Sequence, residues 1–172
     1  MSNIVFIATS LDGFIAGKNN EIDWLESVPN PDNLDMGYSK HMENIDALIM
    51  GRNTLELVLS MDCEWPYSKH VFLLSNTLKE VPEELKGKVS LVAGDLAFLV
   101  QNLKNEGYSN LYIDGDLTIQ SFLKQDLIDD FAPWGYHLAQ KQNVNIIAFQ
   151  HLGKSNWFRS RNLIFFLEQL SS

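Results

Sequence analysis

The sequence is poorest in cysteine: Cys63 is the only one in 172 residues. No intrachain disulfide can form, which suits a reducing compartment and points to the cytoplasm. There is no cysteine pair, and His41, His70, His137 and His151 stand at no zinc spacing, so no metal site is expected. Basic residues are scarce as well: 13 Lys and Arg face 22 Asp and Glu, for a net charge of -9. With no basic run anywhere, a nucleic-acid partner and docking to an anionic membrane are both disfavoured. A small anionic ligand is not excluded, because it needs only a local cluster of arginine and backbone N–H groups. No apolar run approaches the ~20 residues that span a bilayer. No basic segment followed by an apolar core opens the chain, so no signal peptide is expected. The glycine fingerprints of Rossmann dehydrogenases and P-loop NTPases are missing, as is a nucleophile elbow. Cys63, in an acidic turn, is a poor nucleophile candidate.

What is present is ordinary for a globular chain: 45% apolar and 20% charged residues. The length suits one domain, residues 1–172. Ile4 to Ala8, Ile45 to Met50, His70 to Leu74, Val89 to Ala93 and Leu111 to Ile113 read as short apolar strands. Asp35 or Ser39 can cap a short helix running through Met42. Asn53 to Ser60 reads as a helix. Asp95 caps the clearest one, whose Leu96, Leu99, Val100 and Leu103 share a face and which Gly107 ends. Ile119, Phe122 and Leu123 give a further helix its buried stripe, closed by Asp126. Leu127-Ile128 starts another β segment, and Val144 to Phe149 and Leu163 to Leu167 read as strands. Such alternation predicts an α/β fold: a mostly parallel sheet with helices on both faces and an antiparallel C-terminal edge.

Three loops stand out: Asp12-Gly13 to Gly17, Gly51-Arg52-Asn53-Thr54, and Asp114-Gly115-Asp116. The last two open helices directly after apolar strands. Free N–H groups at a helix start attract an anion, glycine lets it approach, and Arg52 adds a fork of donors. Each turn also has a plain reading, as a hairpin or a strand-to-helix connection with a surface charge. Side by side, the two helix starts could hold the two ends of a dinucleotide.

The chain resembles the dihydrofolate reductase-like proteins, in the branch of the riboflavin-biosynthesis reductase domain of a bifunctional deaminase/reductase. The residues that carry the resemblance are Ser10-Leu11-Asp12-Gly13-Phe14-Ile15-Ala16, Asp23-Trp24-Leu25, Ile45 to Thr54 and Glu64-Trp65-Pro66-Tyr67. They continue with Leu74-Ser75-Asn76 and Tyr112-Ile113-Asp114-Gly115, leading to Phe122-Leu123 and Leu127-Ile128-Asp129. Coverage runs from residue 3 to about residue 131.

The resemblance implies NADPH as hydride donor to a small pyrimidine- or pterin-like substrate. Ala8 and the Ile15 to Gly17 segment would flank the nicotinamide. Gly51, Arg52, Asn53 and Thr54 would hold phosphate. Leu74, Ser75 and Asn76 would border the adenosine, and Gly115, Asp116, Leu117 and Thr118 would carry the pyrophosphate. Asp12 and Asp35 are the candidate catalytic carboxylates, and Trp24 a candidate substrate contact. A homodimer is expected from the resemblance only. Two departures stand out. Asp116 replaces a glycine, setting a carboxylate beside a pyrophosphate. The segment from Ala132 to Gln142 lacks the family's glycine-rich turn, and Pro133 removes a ladder donor. They motivate the rival expectation, a nucleotide-binding or protein-interaction domain of this fold without turnover.

Overall fold

Ala47 to Met50 is apolar without a break because both of its faces are covered. In the computed structural model, which describes residues 2–8, 35, 37–61 and 63–133, all four side chains are fully buried. They lie in β2 (Ala47–Gly51), third in a six-stranded sheet. The other strands are β1 (Ser2–Ile7), β3 (His70–Leu74), β4 (Val89–Val92), β5 (Asn110–Asp114) and β6 (Asp130–Pro133). The order is β4-β3-β2-β5-β1-β6, and every pair is parallel.

The period-two alternation of a strand divides the apolar residues between two layers. Ala47 and Ile49 face α3 (Leu96–Asn105) and α4 (Asp116–Lys124), in one core with Leu99, Leu103, Ile113 and Phe122. Leu48 and Met50 face α1 (Tyr38–Glu43) and α2 (Arg52–Ser60), in a second core with Met42, Leu55, Val71 and Tyr112. Each fully buried Ile or Leu contributes about 1.5–3 kcal/mol.

Most sequence expectations hold to within a residue or two. Asp95 caps α3 by accepting from the Phe98 N–H at 2.9 Å. Gly107, just past that helix, has φ 101°. The Asp35 carboxylate accepts from the Gly37 and Ser39 N–H groups and so organises the start of α1. Two boundaries move. Ile45 is buried but precedes β2, and the strand after α4 starts at Asp130 rather than Leu127. The Leu127 carbonyl is instead taken by the Asn3 side-chain amide at 2.6 Å. Pro133 is the last residue of β6 and pairs with Ile7 of β1. The strands expected at Val144 to Phe149 and Leu163 to Leu167, and with them the antiparallel edge, lie outside the described residues. No helix among the described residues is long and apolar enough to cross a membrane.

Candidate functional site

Because the strands are parallel, all their C-terminal ends open on one edge of the sheet, where ligands of open α/β sheets bind. The register sets three ends level: Gly51 opposite Leu74, and Met50 opposite Asp114. Two helices begin there. Gly51 caps α2 and Gly115 caps α4, and neither helix start has a side-chain cap, unlike α3 with its Asp95. Their first N–H groups have no partner within the helix.

The two starts interlock through glycine and threonine. Gly51 has an ordinary extended backbone, φ -85°, but a Cβ there would stand 2.7 Å from Thr118 Oγ1. Gly115 has φ 91°, and a Cβ there would collide with Thr54 Oγ1. Thr54 and Thr118 are each the third residue of their helix, so the contact is reciprocal. Only glycine at both caps lets the starts approach this closely. An anion between them would meet backbone N–H groups from two helices.

Arg52 is exposed at the first start, with Nε 3.7 Å from Glu56 Oε1 one turn later. So loose a pair between exposed groups leaves the guanidinium available. Asn53 and Leu117 are exposed, and Thr118 is buried. Leu74 ends β3. Ser75 accepts from the Leu78 N–H at 3.1 Å, so its hydroxyl is used within its own turn, while Asn76 is exposed. Asp116 accepts from Gln120 Nε2 at 2.9 Å, which turns its carboxylate back along α4. A groove on the outside of α2 runs past Arg52, Leu59 and Pro82, but Glu56, Glu80 and Glu83 line it and make it a poor phosphate site.

The sequence reading missed a second feature of the same edge. Tyr112 and Asp114, two residues apart on β5, point to one face of the sheet. The Asp114 carboxylate accepts from the Tyr67 hydroxyl at 3.3 Å and from the Gly115 N–H at 2.8 Å. The Tyr112 hydroxyl donates to the Phe6 carbonyl at 3.0 Å. Tyr67 and Tyr112 belong to a wider set of packed rings: Trp65 packs on Tyr67 at 5.1 Å, Tyr38 on Phe6 at 5.7 Å, and His41 stacks on Phe6 at 4.9 Å. His41 also meets the Tyr112 ring edge-on at 5.0 Å. Burial raises the Asp114 carboxyl above its ordinary value, and its hydrogen bonds only partly offset this. Burial and the Asp114 charge together raise Tyr38, Tyr67 and Tyr112. His41 is pushed down by burial, against the pull of Asp130. His41 Nε2 and Trp65 Nε1 are buried, and neither has a hydrogen-bond partner among the described residues.

Asp35 has a different character. It is exposed, and its bonds with Ser39 and the Gly37 N–H lower its carboxyl to about 2. It is an anion at neutral pH and committed to the α1 start. Ala8 follows β1 directly and is partly buried. Asp12, Ile15, Gly17 and Trp24 lie outside the described residues. Among the described residues no group of three or more His, Cys, Asp or Glu could hold a metal ion.

No family model matches the chain. It is 32% identical over 130 residues to Bacillus subtilis (strain 168) protein YwjB, an uncharacterized protein, covering 74% of this chain and 72% of that one. A second uncharacterized protein of that organism, YyaP, is 28% identical over 141 residues, 74% of this chain and 70% of the relative. Among solved structures, a Shewanella sp. PV-4 protein named "Putative riboflavin biosynthesis protein" is 59% identical with a TM-score of 0.74. That match covers 77% of this chain and 75% of the other. A Thermotoga maritima diaminohydroxyphosphoribosylaminopyrimidine deaminase/5-amino-6-(5-phosphoribosylamino)uracil reductase shares the fold at 15% identity and a TM-score of 0.52. It is matched over 72% of this chain and 42% of its own length.

Proposed function

The chain belongs to the riboflavin-biosynthesis reductase-like branch of the dihydrofolate reductase-like proteins, and on that premise we propose that it is an NADPH-dependent reductase of a small pyrimidine- or pterin-like substrate. The observation that carries the reading is the interlocked pair of uncapped helix starts, Gly51 against Thr118 and Gly115 against Thr54. Backbone N–H groups of 115–118 would take the pyrophosphate and Arg52 the 2′-phosphate, with Asn53 and Thr54 beside it. Leu74, Ser75 and Asn76 would border the adenosine, and Ala8, Ile15 and Gly17 the nicotinamide.

NADPH, when bound, supplies a hydride to the carbon of a C=N or C=O bond. The nitrogen or oxygen then needs one proton, and this chain must provide it. Asp114 is the described carboxyl best suited, because burial favours its protonated form and Tyr67 fixes its orientation. Asp35 is held as an anion and suits positioning rather than proton donation. Asp12 is a further proposed carboxylate, and Trp24 a proposed substrate contact. The aromatic wall excludes water around the reacting atoms.

A second reading, a nucleotide-binding or protein-interaction domain of this fold without turnover, is favoured by Asp116. Close charges of one sign repel by about 1 kcal/mol or more, depending on local dielectric. Titration of NADPH into the wild-type chain, followed by nicotinamide fluorescence, separates the two. Saturable binding that is stronger than for NADH and weakened by Arg52→Ala is expected. Asp116→Gly should tighten it. An absence of detectable affinity in the wild type sinks the reductase.

A further inference from the structure

One N–H group of the proposed phosphate site already has an acceptor. Gly115 opens α4, and its N–H donates to Oδ1 of the Asp114 carboxylate at 2.8 Å. A Cβ on Gly115 would strike Thr54 Oγ1, so the cradle between the two helix starts exists only with glycine here. That cradle fits a pyrophosphate, and the reductase reading places one in it. The carboxyl best suited to give the proton therefore shares a donor with the phosphates.

Burial raises the Asp114 carboxyl, and the Gly115 N–H is the largest of three influences that lower it, ahead of the Tyr67 and Tyr112 hydroxyls. Tyr67 reaches it at 3.3 Å from the segment between α2 and β3. Tyr38, on α1, feels its charge, and Cys63 acts on Tyr67. At the α2 start Arg52 lies near Glu56, and on α4 Asp116 accepts from Gln120. An anion seated on the α4 start disturbs this balance twice. It takes the Gly115 N–H, so the carboxylate loses the bond that most favours its ionised form. It also brings negative charge beside the carboxylate, and a like charge nearby favours the neutral acid. Both effects have one sign. A group that stays in place on binding, wherever it lies in the chain, acts on both states and drops out of the difference.

We infer that Asp114 takes up a proton from solvent when a dinucleotide docks on the α4 start, so that cofactor binding loads the acid that the reduction consumes. The carboxylate gains H+ and becomes the neutral acid. It keeps the proton until the hydride has moved, then passes it to the substrate nitrogen or oxygen. The restored carboxylate competes again for the Gly115 N–H, which favours release of the oxidised dinucleotide. The place of the dinucleotide rests on the reductase reading.

The test is calorimetric titration of NADP+ into the full chain at several pH values, each in two buffers of different ionisation enthalpy, which counts the protons exchanged. The 2′-phosphate titrates as well, and subtracting the count for Asp114→Asn removes its share. The difference should be an uptake that peaks at about 0.5 proton per chain, for a rise in proton affinity of about tenfold. By linkage, the affinity of the wild type relative to Asp114→Asn should fall about tenfold as pH rises through the same window. Tyr67→Phe removes one bond to the ionised form and should move the peak to higher pH. It decides alone if Asp114→Asn does not fold. Equal proton counts in wild type and Asp114→Asn, or a peak that Tyr67→Phe leaves in place, overturn the inference and leave the reductase standing. An absence of affinity for NADP+ at every pH refutes both.

Discussion

Gly115→Ala tests the interlock of the two helix starts most sharply. At φ 91° and ψ 137° the new residue would sit where side chains are rarely tolerated, and its Cβ would collide with Thr54 Oγ1. The backbone strain costs about 1–3 kcal/mol and the crowding a further 1–3 kcal/mol or so. A domain of this size has only about 5–15 kcal/mol to lose. The two parts can be separated. Thr54→Ala removes the hydroxyl and leaves only its Cβ, 3.4 Å from the new methyl, an ordinary contact. The double variant should therefore recover the crowding part and keep the strain. Urea denaturation of the wild type, both single variants and the double should give a favourable coupling of about 1–3 kcal/mol. Strict additivity within error would mean that Thr54 does not press on Gly115, and the joint anion site would lose its geometric basis.

Gly51→Ala meets Thr118 at 2.7 Å but has an unstrained φ, so it should cost only about 1–3 kcal/mol, less than Gly115→Ala in the same urea series. Ile49→Ala, at a fully buried central position of β2, should cost about 2–5 kcal/mol with NADPH affinity retained in the folded fraction. Asp114 has a carboxyl raised above its unfolded value of 3.8. The fold therefore binds its proton more tightly, and its contribution is fully present below that value and lost as pH rises through the folded one. Asp114→Asn should make the chain more stable near neutral pH, read by thermal melts across pH. Asp35 is the opposite case: its carboxyl is lowered to about 2, so its contribution is present above 3.8 and lost as pH falls toward 2. Asp35→Asn should flatten the acid side of the stability profile. A steeper profile would mean that the α1 start is not held by that carboxylate.

The parts of this architecture that were legible beforehand are those fixed by local pattern. A central parallel strand such as β2 must be apolar on both faces, and α3 carries its cap, its stripe and its terminal glycine within one window of sequence. The Gly51 and Gly115 turns were visible because glycine after an apolar run is a local signal. Their contact was not, since β2 and β5 become neighbours only through the strand order, with β3 and β4 intervening in the chain. Asp114 was quoted only as a turn residue. Its burial depends on Tyr67, forty-seven residues earlier, and on rings from β1 and α1. The one available clue was the two-residue spacing of Tyr112 and Asp114 at the end of a buried strand. Asp35 was legible as a helix cap from its place before α1, and its two bonds to backbone N–H groups start that helix.

In the proposed reductase the paired helix starts form the phosphate site of NADPH. A crystal structure of the wild-type chain with NADP+ tests it most directly. Pyrophosphate density is expected on the N–H groups of 115–118, with the 2′-phosphate at Arg52 and the nicotinamide near Ala8 and Asp114. Density for the dinucleotide elsewhere on the chain, or none at saturating NADP+, would contradict it.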